Sequence, residues 1–341
     1  MPSSAQKLVN NFLLFFFAVC LALAGAEFLL RLLVQWGIEP DWKYQRTVLE
    51  GETRHPRHKV LILGDSFAIH WETGYSLYEL LVKDLKPDGA SLLNTAEGGF
   101  GPVDYLTQLR AFGPTYHPDT VLLFYYAGND LTSLQYGWDF WTRFKKYLKP
   151  WLTRSRLFYL ISNLRAQWFQ DHLKYEDAQK RGIDQQAFQM AKQRKINPWL
   201  LDLSRERKNY ILDNVLMETP ENRKAWEEIK PLLREIKNFC EKIHARLLIV
   251  VIPHTVQINS SHFPFYKRLA FTMDERTLVS DNPQRLMKQF CDEEKIPCLD
   301  LLPEFRKERE KEFFRDNDDH FNEAGFRLAE KLTLEFFKHG S

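Results

Sequence analysis

The sequence predicts an α/β protein: a three-layer α/β/α sandwich on a mainly five-stranded parallel sheet, with a helical insertion after the third strand and an N-terminal transmembrane helix. Three observations lead there. Short apolar runs recur along the chain and each stops at a glycine or a polar turn, the mark of strands buried on both faces. Between them lie segments with helical spacing, and strand–helix–strand alternation implies right-handed crossovers and a parallel sheet. A long uncharged stretch opens the chain. The expected organisation is an anchor at 1–35, a linker at 36–57 and one domain at 58–341 carrying its insertion at about 137–225.

Residues 13–26 read LLFFFAVCLALAGA without a charge. Extended over 8–34, the stretch approaches the ~20 residues needed to cross ~30 Å of hydrocarbon. Glu27 and Arg31 stand four apart and can pair on one helix face. An uncleaved signal anchor is one reading. A secretory signal cut at Ala24-Gly25-Ala26 is another, and a buried core helix is a third. The apolar run continues past Ala26 through Phe28, Leu29, Leu30, Leu32 and Leu33, which favours the anchor. Lys7 before the stretch is countered by Lys43 and Arg46 after it, so loop charge decides little. The N-terminal position of the segment puts the remainder on the extracytoplasmic side.

Residues 36–57 are polar and charged and read as linker. Val60-Leu61-Ile62-Leu63 is the first strand, ending at Gly64. Ser76, with Glu79 three residues on, is a capping box that opens a helix carrying Leu77, Leu80 and Leu81. Leu92-Leu93 is the second strand, stopping at Asn94, and a helix follows over about 102–110. The third strand, Val121 to Tyr126, ends at Gly128. After the insertion, a helix is expected over 224–244, a fourth strand over 247–252, a helix over 283–294 and a short strand over 298–301. Asn322 caps a last helix with Leu328, Leu332 and Phe336 on one stripe.

Within 137–225 the chain turns helical, aromatic and basic. Arg143, Lys145, Lys146, Lys149, Arg154, Arg156 and Arg165 have no acidic counterpart between 141 and 170. Trp141, Phe144, Tyr147, Leu148 and Trp151 recur at helical spacing. The segment reads as a surface insertion packing its aromatics on the core, as an amphipathic face on anionic headgroups, or as a lid.

A net charge of +2 gives no field suited to nucleic acid. Cys20, Cys240, Cys291 and Cys298 match no zinc or redox spacing. The last three read as buried thiols, and Cys291 and Cys298 stand close enough in sequence to pair as a disulfide. No cofactor and no metal are expected, and the sequence fixes no oligomeric state.

In open parallel sheets ligands bind beyond the carboxyl ends of the strands. Gly64-Asp65-Ser66, Gly98-Gly99 and Gly128-Asn129-Asp130 lie at those ends, and Asp318-Asp319-His320 precedes the last helix. A strand-end serine alone is a turn or helix cap. As a nucleophile Ser66 needs a base, and His320, beside acidic residues that can fix its tautomer, can supply one. An ester carbonyl under attack needs donors for its oxyanion; the candidates are the Ser66 and Gly99 backbone N–H groups and the Asn129 amide. Asp65 is expected to stabilise its turn and Asp130 to organise its loop. His70, Trp71 and His254 lie near the same ends, as packing or as pocket wall.

These four clusters, read as Gly64-Asp65-Ser66-Phe67, Asn94-Thr95-Ala96-Glu97-Gly98-Gly99-Phe100-Gly101, Gly128-Asn129-Asp130 and Asp318-Asp319-His320-Phe321-Asn322, resemble the ordered blocks of the SGNH/GDSL hydrolases. The four letters fall on Ser66, Gly99, Asn129 and His320. The resemblance implies a flavodoxin-like sandwich, metal-free ester hydrolysis and an acyl-serine intermediate. Its first block ends in Phe67 where the family commonly has leucine. Its last block has Asn317 where the family's aspartate stands, three before the histidine. Asp318, two before, matches a spacing seen in SGNH-like polysaccharide O-acetyltransferases and is taken as the orienting acid over Asp316 and Asp319. The resemblance, with the membrane tether, implies an esterase removing O-acyl groups, acetyl foremost, from a cell-envelope glycan, and the aromatic, basic insertion makes a lipid ester the other candidate substrate. An O-acyltransferase or a non-catalytic envelope scaffold are the alternatives.

Overall fold

The computed structural model describes residues 4–35, 48–50, 56–69, 75–135, 174–193 and 195–339, with single helical residues between 157 and 172. His70, Trp71, the aromatic row from Trp141 to Trp151 and the basic residues from Arg143 to Arg156 and Arg165 lie outside them. Two compact units are present: 1–42 with 144–169, and 43–143 with 170–341.

The first unit contains the helix Ser4–Gln35. Its stretch Asn10–Leu33, 24 residues at mean hydropathy 2.4, is long and apolar enough to cross a membrane. Glu27 accepts from Arg31 Nε at 2.9 Å, the pairing its spacing predicts, and its second carboxylate oxygen accepts the Leu157 backbone N–H at 3.0 Å.

The second unit is built on a six-stranded sheet: β1 (Val48–Glu50), β2 (His58–Leu63), β3 (Ala90–Asn94), β4 (Thr120–Tyr126), β5 (Arg246–Ile252) and β6 (Cys298–Asp300). The spatial order is β1-β3-β2-β4-β5-β6. β2 to β6 are parallel and β1 is antiparallel, pairing Val48 with Asn94 and Glu50 with Leu92. The five parallel strands therefore have the flavodoxin-type order 2-1-3-4-5, whose direction of winding reverses between β2 and β4. β1 corrects the reading of 36–57 as linker throughout. Three residues are too few for a periodicity to register, and the outer edge of β3 offers backbone groups that need partners.

Alternation along each strand divides the core in two. Val60, Ile62, Leu122, Phe124, Leu248 and Val250 face one side, with the helices Leu77–Leu85, Leu302–Lys307 and Glu323–His339. Leu61, Leu63, Val121, Leu123, Leu247 and Ile249 face the other, with Pro102–Tyr116, Pro220–Lys242 and Asn282–Glu294. All seven residues of β4 are buried. A strand covered on both faces has no polar register to keep, so it reads as one apolar run.

Local signals fix several boundaries. Ser76 Oγ accepts the Glu79 N–H at 3.2 Å, as the capping box requires. Thr219 caps the helix Pro220–Lys242, which begins four residues before the expected start, with Pro220 in its first turn. Asn322 Oδ1 accepts the Gly325 N–H at 3.0 Å at the head of the last helix. The buried row of that helix is Phe326, Ala329 and Thr333; Leu328, Leu332 and Phe336 are only partly covered beside it. The described part of the insertion is helical, over Tyr175–Lys180, Gln185–Lys192, Pro198–Glu206 and Tyr210–Val215. All four cysteines are free thiols, so Cys291 and Cys298 form no disulfide; Cys298 is partly exposed rather than buried.

Candidate active site

Ser66 follows β2 and Asn129 follows β4, at the two sides of the point where the winding reverses. The turn after β2 is held by Asp65, whose carboxylate accepts the Phe67 N–H at 3.0 Å and whose carbonyl accepts the Ala68 N–H at 3.1 Å. Phe67 is fully buried. Its ring lies 4.4 Å from Tyr126, 5.2 Å from His320 and 4.9 Å from Phe321, centroid to centroid. A side chain larger than leucine at this position thus packs the serine turn against the loop that carries the histidine.

That loop is a tight return. Phe314 and Phe321 bridge antiparallel, and the Arg315 N–H donates to the His320 carbonyl at 2.9 Å. Asn317 takes a left-handed backbone at φ 59°, a conformation asparagine tolerates better than most residues. Asn317 is therefore a turn former in this loop, and the carboxylate that meets the imidazole belongs to the next residue. His320 Nδ1 lies 2.8 Å from Asp318 Oδ1, and its Nε2 lies 2.7 Å from Ser66 Oγ. Asp319 stands further off, 3.3 Å from Nδ1. Asp316 makes no such contact among the described hydrogen bonds.

Ser66 remains partly exposed while His320 is 7% exposed. The Ser66 hydroxyl can thus be reached from solvent, while the imidazole that it contacts is enclosed. Exposed Gly98 and Gly99 form the turn after β3, in which the Phe100 N–H donates to the Glu97 carbonyl at 3.1 Å. A Cβ on Gly98 would come within 3.9 Å of the Ser66 Cβ, so this turn lies against the serine. Gly99 has φ 72°, a backbone that glycine adopts at no steric cost, with no heavy atom within 4 Å of an ideal Cβ.

Asn129 donates through Nδ2 to Asp65 Oδ2 at 2.8 Å. Asp130 accepts from the Tyr105 hydroxyl and the Tyr126 N–H, both at 2.8 Å, and organises the loop after β4. His254 is buried, accepts the Val256 N–H at 3.2 Å and stacks on Tyr126, so it packs and caps rather than lining an open pocket.

The charges are shaped by burial. Burial pushes the Asp65 carboxyl up to about 6, against the opposing bonds from Phe67 and Asn129. Asp130 is raised well above the usual carboxylate range by burial and by Asp65. Burial also works against an ionised Asp318, but His320 and the bonds from His320 and Asn197 outweigh it and hold this carboxyl low. Asp319 is raised by burial and by the neighbouring Asp318 charge. Burial alone would depress His320; Asp318 and Asp319 outweigh it and bring the imidazole to about 9. Asp318, Asp319 and His320 gather their ligand atoms within 4.8 Å, close enough to chelate a cation. Chelation there would compete with the contact between Nδ1 and Asp318.

No signal singled out Asn197, which lies in the insertion. Its amide donates to Asp318 Oδ1 at 3.0 Å and its backbone N–H to the Asn317 carbonyl at 3.4 Å. Asn-Pro at 197–198 marks a turn in sequence, but a turn signal says nothing about what the side chain meets.

No family model matches the chain, and no curated protein matches it. Solved structures match it remotely. A catalytic mutant of an acetylxylan esterase from Geobacillus stearothermophilus is 13% identical over 82% of this chain and 94% of that one, at TM-score 0.40. A second acetyl xylan esterase is 13% identical over 81% of this chain and 98% of its own, at 0.43. A psychrotrophic esterase from Pseudoalteromonas sp. is 11% identical over 83% and 97%, at 0.39.

Proposed function

We propose that the chain is a serine esterase of the SGNH type, held to the membrane by Asn10–Leu33, that removes O-acyl groups, acetyl foremost, from a cell-envelope glycan on the extracytoplasmic side. The observation that carries this reading is the continuous relay Ser66 Oγ, His320 Nε2, His320 Nδ1, Asp318 Oδ1, with contacts of 2.7 and 2.8 Å. A hydroxyl, an imidazole and an orienting acid in that order are what nucleophilic ester cleavage needs.

In this reading Ser66 Oγ attacks the ester carbonyl carbon while its proton passes to His320 Nε2. Asp318 holds the imidazole in the tautomer that accepts it and stabilises the imidazolium. The backbone N–H groups of Ser66 and Gly99 and the Asn129 amide receive the oxyanion. His320 returns the proton to the departing alcohol. Water then attacks the acyl-serine, with His320 again taking a proton, and Ser66 is regenerated as the acid leaves.

The test is intact-mass analysis of the full chain in detergent micelles after fluorophosphonate treatment, for wild type, Ser66→Ala and His320→Ala. One adduct on wild type and none on either variant is expected. A folded wild type that stays unlabelled overturns the reading. The two-residue Asp318–His320 spacing favours one alternative, transfer of the acyl group to a sugar hydroxyl by the same residues. An O-acetyl donor supplied with and without a glycan acceptor separates the two: free acetate alone marks a hydrolase, acetylated acceptor a transferase.

A further inference from the structure

Two half-buried carboxylates face one imidazole nitrogen, and the structure holds them unequally. Asp318 Oδ1 receives three donors: His320 Nδ1 at 2.8 Å, the Asp319 backbone N–H at 2.8 Å and Asn197 Nδ2 at 3.0 Å. Asp319 meets the same nitrogen at 3.3 Å. Adjacent half-buried carboxylates do not both ionise without cost, so one charge must be favoured. The backbone N–H comes with the turn itself. Asn197 is the donor that the fold brings from elsewhere, 121 residues away in sequence.

Its placement is specified locally. Asn197 precedes Pro198, a position where helical backbone is disfavoured, and the helix Pro198–Glu206 begins there. The Leu200 N–H donates to the Asn197 carbonyl at 3.1 Å. Ile196, 3% exposed, anchors the preceding residue. The amide is thereby fixed over the Asp318 loop, and the Asn197 N–H to Asn317 carbonyl contact clamps the turn that carries both acids.

We propose that Asn197 is a positioning residue that keeps the negative charge of the Asp318–Asp319 pair on Asp318, so that His320 is oriented by the shorter of its two carboxylate contacts. The inference rests on the esterase reading for its consequence in catalysis, but not for its test. Without the Asn197 amide, Asp318 loses a charge-assisted bond, the charge moves toward Asp319, and His320 is left with the longer contact. The titratable groups facing this cluster are Asp319 on the same loop, Asp65, Tyr126, Tyr210, Tyr266 and His262. None of them is altered by the substitution.

The test reads His320 without needing turnover. The full chain, carrying isotope-labelled histidine in micelles, is titrated by NMR as wild type, Asn197→Ala, Asp319→Asn and the double variant. The expected result is a fall in the His320 pKa of roughly half a unit or more on Asn197→Ala, and no fall when Asp319→Asn is already present. Asn197→Gln, which keeps the amide, should recover part of the shift. Equal falls in both backgrounds, or none in either with melting unchanged, overturn the proposal. If wild type takes up fluorophosphonate, Asn197→Ala should slow that labelling about three- to ten-fold. A wild type that never labels sinks the esterase reading and leaves the titration to decide this one.

Discussion

Asn129 and Asp65 meet across the ends of two adjacent strands: Nδ2 of the one lies 2.8 Å from Oδ2 of the other. The bond ties the loop after β4 to the turn that presents Ser66. It also fixes the Asn129 amide, and an amide fixed before the substrate arrives costs no reorganisation when an oxyanion forms. Asn129→Ala should therefore lower kcat for p-nitrophenyl acetate by about 10²–10³ with KM little changed. An unchanged kcat would remove Asn129 from the oxyanion site. Asn129→Asp should be worse than neutral substitution, because it sets a carboxylate against a buried one. Its melting temperature should rise as pH falls from 7.5 to 5, since protonating either acid relieves the repulsion.

The unequal distances of the two acids from His320 predict unequal losses. Asp318→Asn should lower kcat by about 10³–10⁴, the loss expected when an imidazole keeps its place but loses its orienting carboxylate. Asp319→Asn should cost less than about ten-fold. Steady-state kinetics on both variants decides; a larger loss at Asp319 would reverse the assignment of the orienting acid.

The pH dependence has a definite direction. Only neutral imidazole can take the Ser66 proton, and the flanking carboxylates raise His320 from the ordinary value near 6.5 to about 9. Fluorophosphonate labelling should therefore rise with pH, with its midpoint above 6.5. For stability the sign is opposite. A histidine that binds its proton more tightly when folded contributes stability that is full below 6.5 and is lost as pH rises through its folded value. Melting temperature should thus fall over the interval in which labelling increases. His320→Ala should flatten its part of that decline.

Gly128 stands where a Cβ would meet the Tyr126 ring 2.3 Å from Cζ. Tyr126 is buried, stacked on His254 and packed against the tilted Phe67 ring, so it has little room to yield. Gly128→Ala should destabilise by about 1–3 kcal/mol. Circular dichroism melting should show a drop of several degrees, with fluorophosphonate labelling also slowed because Asn129 is the next residue.

Much of this arrangement was legible in the sequence because it is written in local patterns. Residues 121–126 read as a strand since burial on both faces leaves an unbroken apolar run. The capping box at Ser76 and Glu79 announced a helix start through two side chains three residues apart. What escaped depends on partners distant in sequence. Val48–Glu50 is a strand because β3 has an open edge, which three residues cannot reveal. The stripe of Leu328, Leu332 and Phe336 on the last helix does pack against the core, but the fully enclosed row beside it, Phe326, Ala329 and Thr333, includes small residues that no stripe of large ones reveals. The choice of Asp318 over Asp316 and Asp319 had the spacing to suggest it, whereas the contact from Asn197 had none.

The short antiparallel strand Val48–Glu50 has a practical bearing on any shortened form of the protein. It covers the outer side of Ala90–Asn94, whose residues are all buried. A chain cut after the apolar helix but before residue 48 keeps that cover. One trimmed to begin at His58 would present a bare apolar edge, ready to pair with a second molecule. Whether the shortened domain stays dispersed or clumps would then be decided by three residues at the edge of the sheet.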